Sequence, residues 1–133
     1  MKDLTWSHVL SVDNDEIDDD HHKLIDLFNM LNHAVTEEFD PDYLAAVLNE
    51  LINCTAWHFS HEERLMVKSR YVGLAEHKEE HQQLIKSVME LQQKIIEEGN
   101  RIPEEDLLFL ERWLTEHILT TDMKLGAYLA QVM

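Results

Sequence analysis

The chain has 133 residues, with 11 basic against 27 acidic side chains and a formal net charge of -16. A surface this negative repels phosphate, which excludes nucleic acid as a partner and disfavours an anionic membrane surface. No apolar run approaches the roughly 18 residues that a membrane span needs, and the single cysteine, Cys54, excludes an internal disulfide. The opening residues MKDLTWSHVL lack the continuous apolar core of a signal peptide, so the expected location is the cytoplasm. Three glycines and two prolines in a chain of this length predict a few long helices with short connections. The expectation is therefore an all-α fold in a single domain spanning 1–133.

In chain order, residues 1–17 read as an irregular arm anchored by Leu4, Trp6, Val9, Leu10, Val12 and Ile17. The acid run Asp13 to Asp20 contains a helix start, where carboxylates meet unsatisfied N–H groups. The first helix is expected from about Asp18 to Glu37, with His21, Leu24, Phe28, Leu31 and Val35 on its inner stripe. That phase selects His21 over His22, which is expected to be hydrated. Asp40 and Pro41 suit the N-cap and first position of a second helix running to about Lys68. Its broad inner face carries Tyr43, Leu44, Val47, Leu48, Leu51, Cys54, Thr55, His58, Glu62 and Leu65. A third helix is expected from about Leu74 to Glu98, with His77, His81, Leu84, Ile85, Val88, Leu91 and Ile95 inward, and Gly99-Asn100 as its stop. A fourth starts at Pro103 and turns Leu107, Leu110, Leu114, His117 and Ile118 inward, with Trp113 beside them. A short last helix covers 122–132.

Two spacings carry chemistry. His58-x-x-x-Glu62 and His77-x-x-x-His81 each stack two ligand-type side chains on one helical face. His21 and His117 add one imidazole each from the other two helices. Asp122 lies five residues past His117, about 140° beyond one full turn, so it shares the face only if the helix ends, tightens or kinks near Thr120-Thr121. Five imidazoles and two carboxylates on otherwise apolar faces would be costly to bury uncompensated, and coordination to metal is one compensation. Seven protein ligands are too many for one first-row ion. They suit two ions that share both carboxylates, with the histidines split three and two and an oxide or hydroxide completing the bridge. The uneven split leaves one open position for a small ligand. Imidazole with carboxylate suits iron, zinc or manganese, and iron is the one of these that readily gives O2 a redox partner. His8, His22, His33 and His61 are read as surface or flanking residues.

The residues Ile17-Asp18-x-x-His21, His58-Phe59-x-x-Glu62-Glu63-x-Leu65-Met66, His77-x-x-x-His81 and Trp113-Leu114-x-x-His117-Ile118-x-x-x-Asp122 resemble the hemerythrins, especially the bacterial single-domain ones. The similarity runs from Trp6 to about Tyr128. It implies an antiparallel up-down-up-down four-helix bundle with an N-terminal arm and a short C-terminal helix. It also implies a non-haem centre of two iron ions with a bridging oxo or hydroxo group, which binds O2 reversibly for carriage, storage or delivery and is not an enzyme. On that likeness His77, His81 and His117 hold one iron, His21 and His58 hold the iron with the vacancy, and Glu62 and Asp122 bridge. Leu24, Phe59, Trp113, Leu114 and Ile118 match positions that line the family's O2 pocket. The family's His-x-x-x-x-Asp also answers the five-residue spacing. Asp13, Asp20, Cys54 and Val72 depart from residues frequent in the family (Gly, Gln, Tyr and Pro), and Asp20 and Cys54 stand close enough to affect the environment of the site. The alternatives are a di-iron oxidase or peroxidase, a sensing or iron-handling module, and a bundle without metal. A monomer is expected, with O2 as ligand and an oxygen-consuming enzyme as a possible recipient.

Overall fold

The computed structural model describes residues 3–132, apart from the side chain of His8; the reading of His8 as a surface residue lies outside the described residues. A 3-10 turn at His8–Leu10 precedes α1 (Asp15–Thr36), α2 (Pro41–Ser69), α3 (Leu74–Glu97) and α4 (Glu104–His117). A π-helical stretch, Ile118–Asp122, then joins α4 to α5 (Met123–Val132). The four long helices run up, down, up and down. α1 packs on α2 and α4, and α3 packs on the same two, so they enclose one core. Among the described residues no helix is long and apolar enough to cross a membrane.

The helix ends follow local chemistry. α1 begins three residues before the expected Asp18, because Asn14 caps it and its side chain accepts from the backbone N–H of Ile17 at 3.1 Å. Asp18 is thereby released for another task. Its carboxylate accepts from the Ser11 hydroxyl at 2.6 Å and the Val12 N–H at 2.9 Å, fastening the arm. Asp13, where the family often has Gly, has φ 58°. That left-handed conformation explains the family's glycine, and aspartate is among the side chains that tolerate it. Asp40 caps α2 and Pro41 is its first residue, as expected. Gly99 and Asn100 end α3 in left-handed backbone at φ 79° and 62°. α4 starts one residue after Pro103, which stands at its N-cap.

The arm is an edge-on cover more than a core strand. Leu10 and Val12 are buried and Ile17 belongs to α1, but Val9 points to solvent. Leu4 exchanges two 2.8 Å hydrogen bonds with Asn29. Trp6 lies on His22 with ring centroids 3.9 Å apart, so His22, outside the inward stripe as expected, is partly covered by an indole. Tyr43, placed on the inner face of α2 by its spacing, is exposed near the helix start, where it meets Phe39 edge-on.

The π stretch answers the rotation problem at Asp122. The backbone N–H of Met123 reaches back five residues to the carbonyl of Ile118. The turn therefore widens where the sequence reading offered an end, a tightening or a kink. One extra residue per turn brings positions five apart onto one face. Two consecutive threonines favour this departure. Thr120 donates its hydroxyl to the Glu116 carbonyl at 2.6 Å, competing with the regular ladder, and Thr121 donates to Glu80 on α3.

α5 closes the bundle against the arm at Gly126. A Cβ there would collide with the carbonyl oxygen and side chain of Val12. Gly126→Ala is expected to destabilise the fold by about 1–3 kcal/mol and to lower the melting temperature by roughly 5–10 °C in thermal unfolding followed by circular dichroism. A melting temperature equal to that of the parent chain would mean that the arm is not held at this point.

Candidate metal centre

His21, His58, His77, His81 and His117 all turn Nε2 toward one point in the bundle interior, where the carboxylates of Glu62 and Asp122 meet them. All seven residues are buried, and His21, Glu62 and Asp122 are 0% exposed. Their donor atoms form two overlapping groups. Glu62, His77, His81, His117 and Asp122 make one; His21, His58, Glu62 and Asp122 make the other. Asp122 divides its oxygens between them. Oδ2 lies 2.8 Å from His21 Nε2, while Oδ1 lies 3.1 Å from His77 Nε2 and 3.0 Å from His117 Nε2. Glu62 Oε1 lies 3.2 Å from His58 Nε2 and 3.1 Å from His81 Nε2.

These spacings suit ligands of a shared ion. Donors about 2.1 Å from one metal, at right angles to each other, lie about 3 Å apart. The nitrogens of His21 and His58 face each other at 3.1 Å. Among the described residues Glu62 Oε2 is buried with no hydrogen-bond partner, and His117 Nε2, although 3.0 Å from Asp122 Oδ1, makes no aligned hydrogen bond. A proton-sharing network would leave those atoms stranded at a cost of about 1–3 kcal/mol each. A cation between the two groups would satisfy both, so the residues fit a two-metal centre.

The backs of three of the five rings are also held. Nδ1–H of His58 donates to Asp20 at 2.8 Å, that of His81 to Glu63 at 3.1 Å and that of His117 to Glu80 at 2.9 Å. Outward donation from Nδ1 leaves the Nε2 lone pair of a neutral ring facing inward, and raises its basicity. Phe59 lies flat on His81, with centroids 3.9 Å apart and planes 5° from parallel. The electrostatics are strongly coupled. Burial and the charge of Asp122 push the Glu62 carboxyl up, but His58 and His117 outweigh them and bring it down to about 2. Asp122 is likewise driven well below the carboxylate range: burial opposes this, and the charge of His117, together with the imidazoles of His21 and His58 against its oxygens, prevails. Burial disfavours charge on His58 and His117, yet the carboxylates lift both well above the usual imidazole value.

The Hemerythrin HHE cation binding domain family matches residues 12–129 of this chain. The chain belongs to the hemerythrin family. A bacteriohemerythrin of Stenotrophomonas maltophilia is 33% identical over 129 residues, covering 97% of this chain and 81% of that protein. One from Clostridium acetobutylicum is 31% identical over 123 residues, covering 90% and 95%. A crystal structure of wild-type hemerythrin superposes with a TM-score of 0.86 at 27% identity, over 96% of this chain and 98% of the other.

Beside the two-histidine group this hemerythrin-family chain encloses a cavity of about 10 Å³, room for one molecule of roughly the size of water. Leu24, Phe59, Trp113, Leu114 and Ile118, the five expected pocket residues, all line it, together with Thr55, His21, His58 and His117. Thr55 was not among the expected lining residues. Its hydroxyl donates to the Leu51 carbonyl at 2.7 Å, so its proton is directed away from the space. His61, read as flanking, instead bonds Asp20 through Nδ1 at 2.5 Å. His33, exposed as expected, pairs with Asp3 at 2.8 Å. Glu80 and Thr121 gave no signal in the sequence. They lie on different helices, and only packing brings both to the back of His117.

The depressed carboxyl of Glu62 carries a pH signature in iron-depleted protein. A carboxyl lowered from 4.5 to about 2 stabilises the fold above its unfolded value and loses that contribution as pH falls through about 2. In denaturant titrations the parent chain should exceed Glu62→Gln by on the order of 3 kcal/mol at pH 6. The gap should shrink steadily from pH 4.5 to pH 2. A gap independent of pH would contradict this charge pairing.

Proposed function

We propose that this protein binds O2 reversibly at a non-haem di-iron centre and is not an enzyme. One observation carries the reading: five imidazoles divide three and two around two shared, buried carboxylates, and the two-histidine side borders a small, largely apolar cavity. His77, His81 and His117 are assigned to one iron, and His21 and His58 to the other. Glu62 and Asp122 serve both, together with an oxo or hydroxo bridge. Iron held by these residues would supply the redox chemistry that reversible O2 binding requires.

The chain's own residues account for reversibility. The two-histidine group has one donor fewer, and its rings line the cavity. Leu24, Phe59, Trp113, Leu114 and Ile118 give that space an apolar wall, which disfavours water. The indole N–H of Trp113 is spent on the Leu84 carbonyl at 3.1 Å, and the Thr55 hydroxyl on Leu51, so neither offers a proton inward. Water and protons are what would turn a returnable ligand into released peroxide and leave the irons oxidised. A donor set of five histidines and two carboxylates also differs from the carboxylate-rich sites of oxidative ferritin-like proteins. The reading further takes the chain as one domain, monomeric and cytoplasmic, its high negative charge opposing self-association. An oxygen-consuming enzyme is the recipient it suits.

The test is the visible spectrum of iron-loaded, anaerobically reduced protein through repeated exposure to O2 and its removal. A coloured form that fades and returns over several cycles is expected. One irreversible conversion, with peroxide released, would make the protein an oxidase or peroxidase. Leu114→Ala should open the wall and raise the rate of autoxidation severalfold; an unchanged rate would remove Leu114 from this role.

A further inference from the structure

The three carboxylates behind the histidine rings are not equivalent. The Glu63 and Glu80 side chains, behind His81 and His117, are 25% and 37% exposed. The Asp20 side chain, behind His58, is 6% exposed. Water screens the first two and hardly reaches the third, so Asp20 acts on its ring through a low local dielectric. It is also shared. The same oxygen, Oδ2, accepts from His58 Nδ1 at 2.8 Å and from His61 Nδ1 at 2.5 Å. The second ring ties this buried oxygen to the surface: the His61 side chain is 15% exposed and rests against the exposed indole of Trp57, centroids 5.2 Å apart.

We propose that Asp20 and His61 are a pair of opposed positioning residues that set the redox balance of the two-histidine side of the centre. The inference rests on the di-iron reading above. Asp20 drawing on Nδ1–H makes His58 a stronger donor through Nε2, and a stronger donor favours the ferric over the ferrous ion. His61 competes for the same oxygen and weakens that pull. The two side chains therefore act with opposite signs through one atom. His21, the partner ring on this side, has no hydrogen bond to its Nδ1, so His58 is the ring through which the surroundings reach this iron.

The experiment is a spectroscopically followed redox titration of the iron-loaded full chain, for the parent, Asp20→Asn and His61→Phe. Zinc affinity by chelator competition is measured in parallel, and circular dichroism verifies folding. At the parent's midpoint, Asp20→Asn is expected to raise the ferrous-to-ferric ratio about tenfold, an upward shift of about 59 mV for a one-electron step. It should also weaken zinc binding by about 10–100-fold. His61→Phe should move the midpoint the other way, by a few-fold in the same ratio. Asp20→Glu, which keeps the carboxylate, should recover part of the Asn shift. Loosened packing alone would move both variants in one direction. Shifts of the same sign, or an Asp20→Asn midpoint equal to the parent's, overturn the proposal. A parent chain that loads iron and cycles O2 with either result loses only this inference. A parent chain that takes up no iron loses the centre as well.

Discussion

The constraint on which the rest depends is the burial of seven ionisable side chains in one layer of a largely apolar bundle. Leu24, Phe59, Leu114 and Ile118 stand beside that layer, and Glu62 and Asp122 are fully buried within it. Breaking a buried charge pair by removing one partner typically costs about 3–5 kcal/mol, because the other charge is then uncompensated. The layer therefore has to be complete. Each long helix supplies at least one member, and the connections have to deliver them at the same depth. The short turns, the caps at Asn14 and Asp40 and the fastened arm serve that end by fixing where each helix starts.

Four-residue spacing solves the problem for α2 and α3, where His58 with Glu62 and His77 with His81 each share a helical face. α4 cannot use it, since Asp122 is five residues from His117. The solution is a single widened turn, Ile118–Asp122. A π turn gives up regular hydrogen bonding, and it persists where something else rewards it. Here the reward is Asp122, which places one carboxylate oxygen against His21 on α1 and the other against His77 and His117. A regular helix through the same residues would swing that carboxylate away from His117 and leave both groups short of a donor.

This explains what was legible in the sequence. Helices and their inner faces follow from periodicity, and His21 was separable from His22 by phase alone. The i,i+4 pairs were visible because regular helices repeat every 3.6 residues. Irregular backbone was not: the spacing from His117 to Asp122 posed the problem, and the widened turn was not among the answers offered by periodicity. Asn14 moved the start of α1 because several candidate caps lay within one acid run. Contacts between helices were legible least. Nothing in the local pattern around His61 says that its ring meets Asp20, 41 residues away, and the same holds for Glu80 with His117 and Thr121.

The same distinction separates what the bundle needs from what this chain adds to it. Six inward donors can be inferred from their types and faces, and Asp122 only with the widened turn, because burial without compensation is costly and few arrangements satisfy all of them. Groups behind the rings are under weaker compulsion. A carboxylate, an amide or a backbone carbonyl would each orient Nδ1–H, so the choice among them is free to vary while the centre is retained. Asp20 stands where the family often has Gln, and a charge in that position changes the donor strength of His58 without changing its geometry. Such positions bear on how tightly electrons are held on one side of the centre, and the helices around them are retained while they vary. Properties that differ between members of one fold are accordingly to be sought one layer out from the metal, where the least exposed of the three carboxylates faces the incomplete side.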